Sequence, residues 1–476
     1  MITLFLATFI SSIESNIIST AMPTIIGDLH GVDIMNWAFS GFLLAGLIAT
    51  PVYGKLSDLL GRKFVFITGI LIFIIASLWI SLSSSMGMLV LGRVIQGIGA
   101  GVVMPISYAI IADTYEFHKR AQMIGLNGAI WSFTFILSPL LGGFIVDHFN
   151  WRIIFIIAIP IGIIIMILIQ IFLDNHPTKK KYHFDYLGII LISISLLSFM
   201  IILQMLSRNL VIDAQIATYF MIDTISTLLF IRHEHLTSDP IVPTSMFGNH
   251  QFVLPNVLSF MTSGFLMLFN IYLPEWIQGL LGLSASSVGI IILIGSIFWI
   301  LGSFMTGWLL KILRSKFVAG IGIIVLTAGA ILLAFMNQNT SILWLIIIIS
   351  ICELGIGIVI TMSTTIVQSK VHTDNIGAAT SFNTVSKTLG QVVMTLLFGI
   401  VSNISMKIKI VQTPKSSFKI MNQLINPRKI HLINPKLIPN LRAILYFAIH
   451  NVFIMASFLI ILTCIFYFID QRKGLN

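Results

Sequence analysis

Three carboxylic acids, Glu14, Asp223 and Glu353, and two bases, Arg93 and Lys387, stand inside long apolar runs of this 476-residue chain. A carboxylate at mid-span costs about 2.5 to 3.5 kcal/mol on insertion scales, so each such residue is a functional candidate by default. Burial raises a carboxyl pKa and a nearby cation lowers it, which lets such a group switch near neutrality; the chemistry on offer is taking up and giving up a proton. The bland reading of Glu14 is a structural hydrogen bond, and that of Glu353, which follows Cys352 and precedes Gly355-Ile356-Gly357, an interhelical polar contact. Asp223 is expected to pair structurally. Glu275, in LPEWIQG, lies at the end of its run, where it would simply reach water. Arg93 needs a partner or solvent, and Lys387 would either snorkel or answer an acid such as Glu353.

The elements that must position these groups are membrane helices. Hydrophobic residues make up 57% of the chain and charged residues 9%, against roughly 25% charged in soluble domains, and the mean hydropathy is +1.01. Runs near the roughly 20 residues that cross a hydrocarbon core occur fourteen times, at about 3–27, 37–54, 64–83, 88–112, 121–146, 152–173, 186–206, 212–231, 252–273, 288–310, 316–335, 342–364, 377–402 and 443–469. They carry no strand-type alternation, so they are expected to be helices. The first run has no basic n-region and no small-residue cleavage site, and reads as a retained helix rather than a signal peptide.

An even number of spans puts both termini on one side. With the termini inside, the short inner loops hold fifteen basic residues, Lys55, Arg62, Lys63, Lys119, Arg120, Lys179, Lys180, Lys181, Arg232, Lys311, Arg314, Lys316, Lys370, Arg472 and Lys473, against Arg152 and Arg208 outside. Residues 403–442 run against this rule: they would lie outside, yet hold eight Lys/Arg and most of the +10 net charge. That charge has no aromatic-interleaved face for nucleic acid.

Polar breaks at 174–185 and 232–250 divide the spans into six, two and six. The expected units are a bundle over 1–173, a linker with two extra helices over 174–250, and a second bundle over 251–476 that includes an extracellular loop at 403–442. Gly307–Lys316, GWLLKILRSK, repeats the spacing of Gly54–Lys63, GKLSDLLGRK, in degenerate form, with Lys311 where Asp58 would be. Parallel six-helix halves with a site at their interface are a known transporter plan. Cys352 and Cys464 form no disulfide framework or metal-ligand spacing. No Walker loop, nucleophile elbow or HExxH is present, so the chain reads as a non-enzyme. Without a nucleotide site, energy must come from an ion gradient: one proton moved inward gains about 2.3 kcal/mol per 100 mV, plus about 1.4 per pH unit.

Four motifs in order carry a resemblance. Glu14-Ser15-Asn16 with Ala21-Met22-Pro23 in the first span, the turn GKLSDLLGRK through Gly54, Asp58, Gly61, Arg62 and Lys63, LVLGRVIQGIGAG through Arg93, Gln96, Gly97, Gly99 and Gly101, and SPLLGG through Ser138, Pro139, Gly142 and Gly143 together resemble the major facilitator superfamily, specifically its fourteen-helix drug:proton antiporters. The family more often has Asp at Glu14, and Ser138 and Thr134 replace glycines of its antiporter motif. The resemblance implies an all-α integral membrane protein of two six-helix bundles plus two additional helices. It also implies a gate at Gly54–Lys63, with Asp58 and Arg62 meeting on one helical face at their four-residue spacing.

By that resemblance, Glu14 and Arg93 serve proton coupling, to which Glu353 is added from its own position. Asn16, Gln96, Trp131, Phe135 and Trp299, together with Glu14 and Glu353, are the candidates for cargo contact. Phe133, Phe298 and Met362 could also line a broad apolar pocket. The function implied is a monomeric pump of the cell membrane that exports amphipathic cationic or zwitterionic drugs against protons, with no cofactor, no metal and no nucleic-acid partner. The glycines of the fourth and fifth spans let helices approach closely. An exporter of one endogenous metabolite or lipid fits the same scaffold, and a non-transporting membrane sensor is the remaining alternative.

Overall fold

A computed structural model describes residues 1–173, 185–208, 213–237, 250–369, 376–414 and 416–473. Most of the two polar linkers, including Lys179, Lys180 and Lys181, and also Lys370, fall outside these residues, as do the side chains of Asp58, Arg120, Arg208, Arg472 and Lys473. Fourteen helices are long and apolar enough to cross a membrane, and the described residues contain no strand.

The first half comprises α1 (Ile2–Leu29), α2 (Asn36–Leu60), α3 (Arg62–Ser81), α4 (Met86–Ala100), α5 (Val103–Thr114), α6 (Phe117–His148) and α7 (Ile153–Phe172). The second comprises α10 (His250–Glu275), α11 (Ala285–Leu309), α12 (Ser315–Ala334), α13 (Ile342–Ser369), α14 (Ile376–Gln412), the short α15 (Phe418–Ile425) and α16 (Ile438–Lys473). Between them in the chain, α8 (Tyr186–Arg208) and α9 (Ala214–Leu236) pair with each other. Of the two, α8 docks on the seam where α2 meets α14, with Met200 and Leu203 against Leu44, Val392 and Leu396. The halves meet along α6 with α11, α2 with α14, and α1 with α10.

Three local departures from the expected elements have physical causes. The fourth span, expected as one helix over 88–112, breaks between α4 and α5. Pro105 has no N–H to offer the carbonyl of Gly101 one turn earlier, and the Thr50 hydroxyl of α2 lies 3.3 Å from that oxygen instead. The 403–442 segment is largely helical: Lys407 and Lys409 end the apolar run, but they and Gln412 are good helix formers, so α14 continues to Gln412. Asp58 and Arg62, expected on one helix, fall on two, and the Asp58 side chain lies outside the described residues. Gly61, at φ 90° and ψ 148°, ends α2 and starts α3 between them, and Arg62 Nε pairs with Asp113 Oδ2 of α5 at 2.8 Å. Lys63 Nζ donates to the Gln170 carbonyl at 2.8 Å. The gate motif thus ties α3 to α5 and α7 of its own half.

Gly61 marks what is called here the turn end of the molecule; residues 417–432 mark the opposite, strap end. Only glycine adopts the Gly61 backbone without strain, at a cost of order 1–3 kcal/mol for other residues. Gly61→Ala should therefore lower the thermal unfolding temperature in detergent and weaken the Arg62–Asp113 tie; an unchanged unfolding temperature would remove the conformational role assigned to this glycine.

Candidate functional site

Four helices of the first half converge on Glu14. Gly97 of α4 lies directly on the backbone of Phe42 in α2, and this close approach brings Arg93, one turn earlier on α4, under α2 with its guanidinium 4.0 Å above the Phe42 ring. Glu14 and Arg93 are 1% and 0% exposed. Gln96 mediates between them: its Nε2 donates to Glu14 Oε2 at 3.2 Å and to Ser77 Oγ of α3 at 2.9 Å, and its Oε1 accepts from Arg93 Nη1 at 2.6 Å. The direct charge pair is long, 3.9 Å from Nη1 to Oε2. Arg93 also donates to the carbonyls of Ala38 and Glu14, each at 3.2 Å. Glu14 Oε1 and Arg93 Nη2 have no hydrogen-bond partner. One buried carboxylate oxygen and one buried guanidinium nitrogen thus remain unsatisfied, a costly arrangement unless the pair has work to do.

The other intramembrane charges lie apart from this cluster. Glu353 is buried against Gly295 of α11 in the second half, with Oε2 unpartnered, so Glu14 and Glu353 belong to different halves. Lys387 does not answer Glu353: its Nζ donates to Thr364 Oγ1 at 2.7 Å. Asp223 pairs structurally, accepting from Ser195 of α8 at 2.9 Å. Glu275 does not reach water. It is fully buried and neither carboxylate oxygen is hydrogen-bonded, because α10 continues into a π-helical turn, Trp276–Leu280, that covers it. Asn16 is half-buried and bonds back to the Ser12 carbonyl at 3.0 Å.

The SPLLGG segment of α6 builds the seam between halves. Gly142 packs on Ile17 and Thr20 of α1, Gly143 on the backbone of Ala285 and Ser286 in α11, and the Pro139 carbonyl on Gly289. The two residues that replace family glycines carry hydroxyls with local uses: Thr134 bonds Ser12 of α1, and Ser138 bonds back to the Thr134 carbonyl. Further along the same seam Phe135 meets Trp299 edge-on, ring centres 4.6 Å apart. Trp131 is half-buried nearby on α6, Phe298 is half-buried, Met362 is buried in the second half, and Phe133 is exposed.

At the strap end the halves cap one another's helices. Asp147, at the end of α6, accepts from the first N–H groups of α11, Ala285 at 3.1 Å and Ser286 at 2.7 Å. In return, Arg428 donates to the last carbonyls of α6, at Val146, Asp147 and Phe149, and Lys429 to the Gly27 carbonyl of α1 and to Asp28 Oδ1, at 2.8 and 2.9 Å. Asn422 accepts from the Val32 N–H, Gln278 donates to the Thr20 carbonyl, and Tyr272 meets Asn36 at 3.3 Å. The one trace of these partners in the sequence is the basic content of 403–442, because several of the acceptors are backbone carbonyls, which no residue type marks. On α14 the face that packs on α2 at Val392 and Leu396 is half-buried at Thr388 and exposed at Thr384 and Ser381, and Pro51 on α2 is exposed as well.

Removing one member of a buried pair costs about 3–5 kcal/mol. Arg93→Met should therefore sharply lower the unfolding temperature in detergent, and adding Glu14→Gln should recover part of the loss; an equal or larger loss in the double variant would show that the two charges do not answer each other.

The family model described as Major Facilitator Superfamily matches residues 4–395. The multidrug transporter protein MdtP of Bacillus subtilis is 32% identical over 84% of this chain and 74% of its own, and the multidrug efflux pump SdrM of Staphylococcus aureus 31% identical over 84% and 88%. Among solved structures, a bacterial homologue of the human lysosomal transporter Spinster, in an inward-facing and unoccupied conformation, has the same fold at a TM-score of 0.72 and 15% identity, covering 100% of this chain and 96% of that one. Two six-helix bundles with two added helices, joined by a motif-built seam, and a family match across most of the sequence establish that this chain is a transporter-fold protein belonging to the major facilitator superfamily.

Proposed function

We propose that the protein is a proton-coupled multidrug efflux antiporter of the cytoplasmic membrane, monomeric, with both termini and the turn end in the cytoplasm. The relatives named as multidrug transporters support the cargo class, and the basic residues around the turn end support the orientation. In this orientation the strap lies outside, and its basic residues, which break the positive-inside pattern, serve the ends of α1 and α6.

One observation carries the coupling: a buried carboxylate, held by Gln96 and only loosely by Arg93, in the helix that also contacts α10, α11 and α15 of the other half. Protonating Glu14 removes its attraction to Arg93 and leaves Gln96 and the Ala38 and Glu14 carbonyls as the guanidinium's acceptors. The packing of α1 on α4 then changes, and with it the ends of α1 that the strap holds. Glu14, closed in by α2, α3 and α4, acts on the cargo through this packing, whereas Trp131, Phe135, Trp299 and Asn16, half-buried along the seam, are the side chains placed to touch it. Glu353, equally enclosed in the second half, is a second candidate for protonation. Arg62, Lys63 and Gly61, with Gly54 and Asp58 on α2, shape the cytoplasmic edge.

The test is dye or fluoroquinolone accumulation in everted vesicles under an imposed proton gradient. Glu14→Gln is expected to reduce gradient-driven accumulation to near background while leaving downhill cargo exchange in place; full gradient-driven transport by Glu14→Gln, and also by Glu353→Gln, would contradict the coupling.

A further inference from the structure

Lys387 is a half-buried cation on α14, eleven residues from the helix start at Ile376, which places it roughly 16 Å into the helix. An ammonium has three donors. Here one is used, on Thr364 Oγ1 of α13 at 2.7 Å, and no carboxylate among the described residues lies within ion-pair distance of it. Glu353 is eleven residues away from Thr364 along α13, again roughly 16 Å, and Glu275 is at the strap end.

Behind Lys387 the polar groups are satisfied among themselves. Asn383 Nδ2 donates to Asn256 Oδ1 at 3.0 Å and Ser259 Oγ at 2.9 Å of α10, its Oδ1 lies 3.2 Å from Thr364 Oγ1, and Asn256 donates to the Phe252 carbonyl at 2.8 Å. This buried amide cluster fixes Thr364 and through it the ammonium, and among the described residues Thr364 is the acceptor that Lys387 Nζ meets. Thr384, one turn before Lys387 on α14, is exposed, and Lys387 and Thr364 are themselves only half-buried. A half-buried cation with unused donors, positioned by a polar backing and bordered one turn away by an exposed hydroxyl, is suited to receive an anion that arrives from outside the protein.

We propose that Lys387, backed by Thr364 and Asn383 and flanked by Thr384, binds a carboxylate on the cargo, so that the preferred cargo is an amphipathic acid or zwitterion rather than a permanent monocation. This deepens the export reading and rests on it for the word cargo, but the recognition itself can be measured without a gradient.

The experiment titrates the purified full-length protein in detergent with norfloxacin and with its methyl ester, following quenching of intrinsic tryptophan fluorescence, and repeats both titrations with Lys387→Gln and Lys387→Arg. The acid should bind roughly tenfold more tightly than the ester, the size of one charge-assisted hydrogen bond. Lys387→Gln should erase that preference by weakening the acid alone, and Lys387→Arg should keep most of it. Equal affinity of the unaltered protein for acid and ester would overturn the proposal, as would a parallel loss of both in Lys387→Gln with none restored by Lys387→Arg, which would mark the lysine as merely structural. Selective binding of the acid without export in vesicles would leave this site standing and sink the antiport reading.

Discussion

A helix end that meets no partner leaves N–H or C=O groups bare, and in this molecule each half supplies the caps for the other half's helix ends. Asp147 of the first half closes the start of α11, while Arg428 and Lys429 of the second half close the ends of α6 and α1. The signs follow the helix dipoles, an anion at an N-terminus and cations at C-termini. Because these groups sit at the end of the bundle, water can replace each cap when the halves part. The closure is therefore held by several modest, exchangeable contacts, which suits a device that must open as well as shut.

The membrane interior imposes the opposite condition. Glu14, Arg93, Glu275 and Glu353 are buried with unsatisfied polar atoms, where unpaired groups are expensive. Each carboxylate lies within a packed bundle or under the strap-end seam, so a change in its proton occupancy acts on helix packing before it acts on cargo. In the function proposed above, acids inside the halves adjust how the halves fit, and half-buried aromatic and polar side chains along α6, α11 and α14 meet what is carried.

Much of this architecture was legible in sequence. The fourteen spans follow from apolar length alone, and of the glycines expected to mark close helix approaches Gly97, Gly99, Gly101, Gly142 and Gly143 each abut a neighbouring backbone or side chain, whereas a side chain added at Gly128 would meet open space. Three things were not legible. Asp58 and Arg62 have the spacing of one helix, but a glycine at positive φ between them puts them on two. Glu275 stands at the end of an apolar run, where water is the natural expectation, yet the helix runs on into a buried π-helical turn and the carboxyl is fully buried. The strap's partners are backbone carbonyls at the ends of α1 and α6, and a backbone acceptor leaves no residue type to recognise; the anomalous basic content of 403–442 was the visible trace. Lys387 falls between, conspicuous as a buried cation but assigned a partner only once α13 and α14 are placed side by side.

The central claim is that the halves trade closure at the strap end for closure at the turn end. Spin labels at His148 and Leu432 report the first, and labels at Leu59 and Ser381, all exposed positions, report the second, by double electron–electron resonance in lipid nanodiscs at neutral and acidic pH. The account predicts that lowering the pH shifts the two distance distributions in opposite directions and that Glu14→Gln fixes both at one extreme; distances that stay put, or that lengthen together, would contradict it.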